Sequence, residues 1–252
     1  RCVGDKHTDY EIQVQPYMPF FKAAARRDFT VNAMGFDWNK RHLLDPYNGL
    51  RACRENLLIP VSEQFMDDAL RVLRAFKFVA RYGFVPSVGT VSYCQQMVPR
   101  LEGFARERLL GEWQDFVLRC RPENVDAAFG FLLDCGAHVY YPELFNLRGV
   151  EQHPEHHPEG DVYNHTLHCF KEFCRIRAQL PAEDQLVVGL AVLCHDVGKA
   201  ITTQLVEGKI IAHGHEATPL ARQFLERLYH PADSIIRSEE HTSELQSRET
   251  IS

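Results

Sequence analysis

Basic side chains and carboxylates stand close together in two stretches of this 252-residue chain, the triplet Arg26-Arg27-Asp28 and residues 67–78. A guanidinium group binds phosphate oxygens through two parallel hydrogen bonds, and a carboxylate accepts the amino protons of a nucleobase. Fixed cations and a carboxylate on an otherwise apolar scaffold therefore indicate a site that holds a triphosphate and reads a base.

The second stretch has the spacing of a helix with one charged face. In an α-helix, with about 3.6 residues per turn, Arg71, Arg74 and Lys77 lie on one face. The apolar residues between them lie on the opposite face. Asp68 stands three residues before Arg71, a spacing that brings two helical side chains together. We predict that these four residues and Arg27 bind a nucleotide. The alternative, which the helix alone favours, is a solvated charged face.

Histidines and a carboxylate form a second chemical group further along the chain. His165 ends the run His-Pro-Glu-Gly-Asp-Val-Tyr-Asn-His, and His195-Asp196 follows an apolar stretch and precedes Gly198-Lys199. Imidazole and carboxylate bind divalent transition metals, which lower the pKa of a bound water for attack on a phosphoester. We predict that His165, His195 and Asp196 hold such a metal, and that His195 and Asp196 are catalytic.

Several residues beside these groups keep two interpretations. Asp28 either holds Arg27 or a nearby loop, or it is a structural residue at a helix end. Lys199 is expected to be solvated rather than bound to phosphate. His213 and His215 are balanced between further metal ligands and a surface loop. None of the eight cysteines forms a Cys-x-x-Cys pair, so small buried thiols are expected rather than a zinc or redox motif.

Four segments must position these residues. Residues 1–60 alternate strand and helix signals and are typical of part of an α/β domain. Residues 61–148 are helical and contain the base-reading helix, and residues 149–236 begin with a His-rich loop and continue as helices. Residues 237–252 are polar and are expected to be disordered. This tail also resembles the translation of a DNA-sequencing adapter, so we exclude it from arguments about the fold.

The expected fold class is α+β. Strands are predicted at 10–15, 30–36 and 42–44. The first long helix is predicted to begin after an N-cap at Ser62 and to run to Tyr82, before Gly83. Further helices are predicted at 88–98, 105–119, 123–134, 161–178, 183–195 and 217–229. The helix at 183–195 is apolar on nearly every side, so it should be buried.

The bulk composition, 45% hydrophobic and 25% charged, is that of a globular protein. No apolar run approaches the roughly 20 residues of a membrane span, and no signal peptide opens the chain. A cytoplasmic protein without a membrane partner is therefore expected. The net charge of −6 argues weakly against nucleic-acid binding. Lys and Arg nevertheless outnumber Asp and Glu over residues 1–81, so a local patch there can bind phosphates.

In order and spacing, the motifs resemble those of bacterial CCA-adding tRNA nucleotidyltransferases that carry an HD phosphohydrolase domain. The resemblance extends over residues 1–236 and also includes Asp45-Pro46-Tyr47-Asn48-Gly49. It implies a partial palm-type nucleotidyltransferase α/β head, a helical neck and body, and a helical HD domain. The implied activities are template-independent addition of C, C and A to tRNA from CTP and ATP with Mg²⁺, and metal-dependent hydrolysis of 2′,3′-cyclic phosphates or phosphomonoesters.

The same resemblance implies a role for each residue of the first group. In the family, an Asp and an Arg three residues apart read the Watson–Crick edge of the base, and Asp68 and Arg71 match these positions. Arg74 and Lys77 match arginines that contact the nucleotide, although Lys77 departs from the usual Arg and loses its bidentate geometry. Arg27 matches the residue that meets the triphosphate.

The family's Asp-x-Asp pair, which holds Mg²⁺, does not occur before Arg26. The chain is therefore expected to be truncated at its front and unable to add nucleotides. The last Asp ligand of an HD domain should fall beyond Ile236, so the chain is expected to be cut short at its end as well. The alternatives to this interpretation are a related poly(A) polymerase and a non-catalytic RNA-binding relative.

Overall fold

The computed structural model describes residues 2–3, 9–10, 17–153, 155, 157–206, 209–211 and 218–229, so His213, His215 and the tail at 237–252 lie outside the described residues. Most of the described chain is helical. Its α-helices are α1 (Phe20–Ala25), α2 (Gly49–Arg54), α3 (Arg71–Tyr82), α4 (Val88–Met97), α5 (Arg106–Arg119), α6 (Val125–Asp134), α7 (Pro142–Phe145), α8 (Val162–Ile176), α9 (Gln185–Cys194), α10 (Lys199–Thr202) and α11 (Thr218–Leu228). Short 3₁₀ helices lie at Thr30–Asn32, Glu63–Asp67, Val98–Gly103, Pro122–Asn124, Ala137–Tyr140 and Arg177–Gln179.

The described strands are short and pair two by two. They are β1 (Cys2–Val3), β2 (Asp9–Tyr10), β3 (Gly35–Asp37), β4 (His42–Leu44), β5 (Leu57–Leu58), β6 (Val85–Pro86), β7 (Gln204–Val206) and β8 (Lys209–Ile211). The β1–β2, β3–β4 and β7–β8 pairs are antiparallel, and β5 and β6 pair in parallel. A helix-rich chain with a few short strands confirms the predicted α+β class.

The front of the chain contains less strand than predicted. The strand at 42–44 is confirmed as β4. The predicted strand at 30–36 is wrong over Thr30–Asn32, which forms a 3₁₀ turn. The cause is local hydrogen bonding, because the carboxylate of Asp28 accepts from the backbone N–H of Phe29 and the side chain of Asn32. The strand predicted at 10–15 lies outside the described residues except for Tyr10.

The helix predicted from Ser62 to Tyr82 is broken at Asp68. Ser62 is an N-cap as predicted, but the turn that follows it is 3₁₀. Asp68 has extended backbone angles (φ −132°, ψ 107°), and α3 begins only at Arg71. The side chain of Asp68 accounts for the break, since its Oδ1 accepts the backbone N–H of Leu70 at 3.0 Å. A short carboxylate that bonds the chain two residues on competes with helical hydrogen bonding.

The other helix predictions are confirmed to within two residues at each end. α3 ends where predicted because Gly83 takes the left-handed conformation (φ 72°), which a glycine adopts without steric cost. The backbone N–H of Gly83 donates to the carbonyl of Val79 at 2.9 Å and closes the last turn. Helix ends marked by local chemistry were therefore predictable from the sequence.

A single hydrophobic cluster joins the helices. α3 packs mainly against α5 and α6, α9 packs against α8 and α5, and α11 packs against α5 and α7. The centre of the Phe116 ring on α5 lies 4.4 Å from the centre of the Phe76 ring on α3. The same ring stacks on Phe170 of α8, with 5.2 Å between the ring centres. α5 is therefore the helix around which the basic helix α3 and the His-bearing helix α8 are assembled.

The apolar stretch Gln185–Thr202 is long and hydrophobic enough, by composition, to cross a membrane. In the structure it forms α9, a turn and α10. No residue of α9 is exposed, and four are fully buried, namely Gly189, Leu190, Leu193 and Cys194. The helix was predicted to be buried on nearly every side, but it is fully buried only along the face that these four residues form. This pattern is that of a core helix packed against its neighbours.

Candidate nucleotide and metal sites

A buried ion pair joins the Arg-Arg-Asp triplet to α3. Asp28 is 5% exposed, and its Oδ2 accepts hydrogen bonds from Arg74 Nε at 2.7 Å and Nη2 at 2.5 Å. Burial works to lower the pKa of Arg74, but the attraction of Asp28 outweighs it and leaves this pKa raised. Asp28 holds the neighbouring turn at residues 29–32, as one of its interpretations expected, but the cation that it pairs with is Arg74 rather than Arg27.

Arg71 connects the same two parts of the chain at a second point. Its Nη1 donates to the carbonyl of Gln64 and its Nη2 to the carbonyl of Arg26, both at 2.7 Å. Its guanidinium carbon lies 5.9 Å from the centre of the Phe65 ring. The guanidinium group has five N–H donors, and two of them make these bonds. The group is thus held in one orientation and keeps donors for a ligand.

Asp68 lies before α3 and pairs with Arg108 of α5. Its Oδ2 lies 2.8 Å from Nη2 of Arg108. The prediction that Asp68 and Arg71 share one helix is therefore wrong, for the local reason given above. The side chains of Asp68 and Arg108 are 36% and 49% exposed, so the pair borders solvent. A carboxylate has about four lone-pair sites, which leaves Asp68 able to accept a further donor from a ligand.

Lys77 points toward α5. Its Nζ lies 2.7 Å from Oε2 of Glu112 and 2.9 Å from Oδ2 of Asp115, and its side chain is only 16% exposed. Two carboxylates neutralise this ammonium group, so its contacts hold α3 against α5. The geometry disfavours direct contact between Lys77 and a nucleotide.

Arg27 is exposed just after α1. Within the described part of the chain, its guanidinium group makes no hydrogen bond or ion pair. It can therefore bind an anion without giving up a protein contact. Arg27, Arg71 and Asp68 are the three predicted residues that keep groups a ligand can reach, and guanidinium and carboxylate suit a phosphate chain and a base edge.

His165, His195 and Asp196 come together where α8 passes the turn that follows α9. Oδ2 of Asp196 lies 3.3 Å from Nε2 of His195 and 3.7 Å from Nε2 of His165. The centres of the two imidazole rings are 5.4 Å apart. Two nitrogen donors and one oxygen donor thus converge within reach of a single cation, and this donor set suits a divalent transition metal.

Hydrogen bonds on the far side of each ring orient the two imidazoles. Nδ1 of His165 donates to Oε1 of Glu159 at 2.5 Å, and Nδ1 of His195 donates to the carbonyl of Val192 at 2.7 Å. The pKa of Glu159 is lowered to about 2, because its carboxylate accepts hydrogen bonds from the backbone N–H of Glu159 itself and from His165. Since both Nδ1 protons are engaged, both Nε2 atoms face Asp196. Metal-binding histidines in proteins are commonly held in this way, so the three residues fit a metal.

Burial and hydrogen bonding set the charges of the cluster. Burial lowers the pKa of His165. Burial also opposes the charged form of His195, but hydrogen bonds to Asp196 and Cys169 outweigh it and raise the pKa of His195 to about 10. Burial works to raise the pKa of Asp196, yet His195 and Lys199 hold that pKa well below its usual range. Binding of a cation would release the proton of His195.

Lys199 is not the solvated lysine that was expected. Its side chain is 18% exposed, and its Nζ lies 2.8 Å from Oδ2 of Asp196 and 3.1 Å from Oε1 of Gln152. It balances the charge of Asp196 and competes with any cation for that oxygen.

Residues that the sequence did not single out complete both sites. Cys169 lies four residues after His165 on α8, and this helical spacing was a usable signal. Glu159 lies inside the motif that ends at His165, but no periodicity marked its role. Arg108 and Glu112 gave no local signal, because their partners on or before α3 lie far away in sequence.

Comparisons with known proteins find one matching family model and several relatives of similar sequence. Residues 7–59 match the family model described as the poly A polymerase head domain. The chain is 34% identical over 239 residues to the multifunctional CCA protein of Alkalilimnicola ehrlichii, covering 92% of this chain and 55% of that protein. It is 32% identical over 251 residues to the multifunctional CCA protein of Shewanella denitrificans, covering 96% of this chain and 58% of that protein. The chain thus spans about half the length of these relatives.

Solved structures share the fold. A CCA-adding enzyme described as apo form II matches with a TM-score of 0.60 at 18% identity, covering 90% of this chain and 47% of that one. A Thermotoga maritima CCA-adding enzyme complexed with tRNA matches with a TM-score of 0.55 at 18% identity, covering 89% of this chain and 48% of that one. At these identities the matches show a common architecture.

Proposed function

Because this chain belongs to the family of the multifunctional CCA proteins, we propose that the protein adds C, C and A to the 3′ end of tRNA from CTP and ATP. Relatives that carry this name, similar over most of the chain, support the proposal. Since the chain spans about half of their length, the activity and its tRNA, CTP and ATP partners are proposed for the protein as a whole, with Mg²⁺ as a cofactor.

The observation that carries this proposal is the double connection between the Arg-Arg-Asp triplet and α3. Arg74 binds Asp28, and Arg71 binds the carbonyl of Arg26. These contacts join the backbone of the triplet that contains Arg27 to α3, and we propose that Arg27 and Arg71 form one basic surface beside Asp68. A triphosphate needs several cations held at fixed separations, and a base needs a carboxylate next to them.

The residues of this surface then divide into two roles. Arg27 meets the phosphates, while Asp68 accepts the amino proton of cytosine or adenine and Arg71 donates to a ring acceptor. Arg74 and Lys77 act as positioning residues, because Asp28 holds the first and two carboxylates of α5 hold the second. Cytosine and adenine both carry an amino donor, so one carboxylate can serve both bases.

Nucleotide binding to the Asp68→Asn variant tests this assignment. We expect the unmodified chain to bind CTP and ATP more tightly than UTP, which has no amino group. Loss of a hydrogen bond to a charged acceptor should weaken CTP binding by about tenfold, or roughly 1.4 kcal/mol. Calorimetric titration measures both effects. Asp126→Asn is the matched control, since Asp126 is an exposed carboxylate paired with Lys171.

The same titration separates the alternatives. Equal loss of CTP affinity in both variants, or none in Asp68→Asn, would contradict base reading by Asp68. A second candidate function, poly(A) addition, is favoured by the description of the family model matched at residues 7–59. A chain of that specificity should bind ATP far more tightly than CTP, whereas a CCA-adding site binds both.

We also propose that the 252-residue polypeptide binds nucleotides without transferring them. No Asp-x-Asp pair occurs anywhere in its sequence, so these residues do not fit the Mg²⁺ site that transfer requires. Incorporation of labelled CTP into tRNA by the polypeptide would refute this.

For the second cluster, we propose an HD-type phosphohydrolase function in which His165, His195 and Asp196 hold a divalent transition metal. When bound, such a metal supplies a water of lowered pKa for attack on a cyclic phosphate or a phosphomonoester. Glu159 and the Val192 carbonyl keep the two imidazoles in the ligand orientation. His195→Ala should abolish metal-dependent hydrolysis of 2′,3′-cyclic nucleotides and leave CTP binding unchanged, and hydrolysis that survives would count against this assignment.

A cytoplasmic location is proposed with these functions. The seven cysteines from Cys53 to Cys194 are free thiols, which suits a reducing compartment.

A further inference from the structure

The proposed metal cluster also contains a thiol, and the hydrolase function proposed above gives this thiol no role. Cys169 is four residues after His165 on α8, and its Sγ lies 3.5 Å from Nε2 of His165. Ligand atoms of His165, Cys169 and His195 all lie within 4.8 Å of one another. From Cys53 onward, the cysteines outside this cluster are buried in the core or, in the case of Cys53, exposed on another element. Cys169 is half-buried, and it is the thiol that faces two imidazoles.

The spacing of these atoms matches a tetrahedral coordination shell. A tetrahedral zinc ion with bonds of about 2.05 Å to nitrogen or oxygen and about 2.3 Å to sulfur separates its ligand atoms by roughly 3.3–3.6 Å. The separation between Sγ of Cys169 and Nε2 of His165 is 3.5 Å, and the separations from Oδ2 of Asp196 to the two Nε2 atoms are 3.3 and 3.7 Å. Three of the six separations among these four atoms therefore match, and the ligand atoms of His165, Cys169 and His195 lie within 4.8 Å of one another.

We propose that Cys169 is a thiolate ligand of the cation bound by His165 and His195. This inference rests on the proposed metal site and names a further ligand for it. A catalytic zinc site keeps one position for water. His165, His195 and Cys169 would hold the cation, and Asp196, which also binds Lys199 at 2.8 Å, would be the ligand that gives way to water.

A thiolate ligand changes which metals the site prefers. Soft sulfur donors select Zn²⁺ and similar ions, whereas Mg²⁺ prefers oxygen ligands and keeps its waters. The site should therefore bind Zn²⁺ or Co²⁺ in the presence of excess Mg²⁺. A set of imidazoles and carboxylate alone would discriminate less strongly.

Titration of the full 252-residue chain with Co²⁺ tests this ligand directly. Tetrahedral Co²⁺ absorbs in the visible, and a thiolate bound to it adds a charge-transfer band in the near ultraviolet. We expect both features in the unmodified chain. In Cys169→Ser the ultraviolet band should be lost, the visible bands should remain, and the Kd for Co²⁺ should rise at least about tenfold, the loss typical of changes beside metal ligands. Cys53→Ser, which removes an exposed thiol on α2, should keep both features.

The outcomes separate this inference from the function on which it rests. If the unmodified chain shows no visible Co²⁺ bands, the proposed metal site itself is wrong. Visible bands without an ultraviolet band, or an ultraviolet band that persists in Cys169→Ser, would overturn the role of Cys169 alone. A second measurement needs no variant: Zn²⁺ should protect Cys169, but not Cys53, from alkylation by iodoacetamide, as read by peptide mass mapping.

Discussion

At the scale of single residues, the basic face of α3 is organised mainly by carboxylates. Asp28 holds Arg74, and Glu112 with Asp115 holds Lys77. A buried ion pair gains little over well-packed apolar residues, but removal of one partner leaves an uncompensated buried charge. These contacts therefore place Arg74 and Lys77 and make the protein sensitive to the loss of either partner.

Arg74→Met should destabilise the protein because it leaves the carboxylate of Asp28, 5% exposed, without its counter-charge. The cost of breaking a buried pair is about 3–5 kcal/mol. Since the side chain of Arg74 is 35% exposed, we expect a smaller loss of about 2–3 kcal/mol. Thermal unfolding followed by circular dichroism should show Tm lower by about 5–10 °C.

Arg51→Met is the matched control for that substitution. Arg51 also pairs with a carboxylate, Glu55, but the two side chains are 75% and 42% exposed. Its Tm should not change measurably, because solvent screens an exposed pair. Equal shifts in the two variants would show that Asp28 does not depend on Arg74.

At the scale of elements, the position of α9 depends on a glycine. A Cβ atom at Gly189 would lie 2.4 Å from Cγ1 of Val117 on α5 and 2.7 Å from the ring of Phe173 on α8. The three helices can approach this closely only because the side chain is absent. Since His195 and Asp196 follow directly after α9, the same contact sets the position of these two residues relative to α8.

Gly189→Ala should therefore lower stability although alanine is the better helix former. The gain in helix propensity is about 1 kcal/mol, while overpacking costs about 1–3 kcal/mol. A contact as short as 2.4 Å to a methyl group belongs to the upper part of that overpacking range. We therefore expect the free energy of unfolding, measured by guanidinium denaturation, to fall by about 1–2 kcal/mol.

Gly111→Ala provides the comparison within α5. No atom lies within 4 Å of a Cβ at this exposed helical position. We expect it to raise stability by up to about 1 kcal/mol. Stabilisation by both alanines would mean that α9 has room to move away from α5 and α8.

At the scale of the whole molecule, one hydrophobic cluster crosses the segment boundaries predicted at 60 and 148. It extends from Phe29 through α3, α5 and α6 to α8, α9 and α11, and it ends at Tyr229. The division into head, neck and HD segments stays a prediction about function. Their shared core predicts that the described segments unfold together.

Unfolding should accordingly be a single transition. In Trp38→Phe, fluorescence reports Trp113, which is 1% exposed in the shared core, whereas Trp38 is 83% exposed. The guanidinium midpoint from this fluorescence should coincide with that from far-ultraviolet circular dichroism, as two-state behaviour requires. Two separate midpoints would show that the segments unfold independently.

The sequence by itself determined most of the longer helices, most of their ends and the two chemical groups. Local rules suffice there, because apolar periodicity, Ser62 and Gly83 act within a few residues. Only the tertiary structure decided the partners of each charge, such as Arg108 for Asp68 across 40 residues and Asp28 for Arg74 across 46. A helical pattern sets the direction of a side chain on its own helix. What that side chain meets depends on how separate helices bury their apolar faces against one another, and no local spacing encodes that packing.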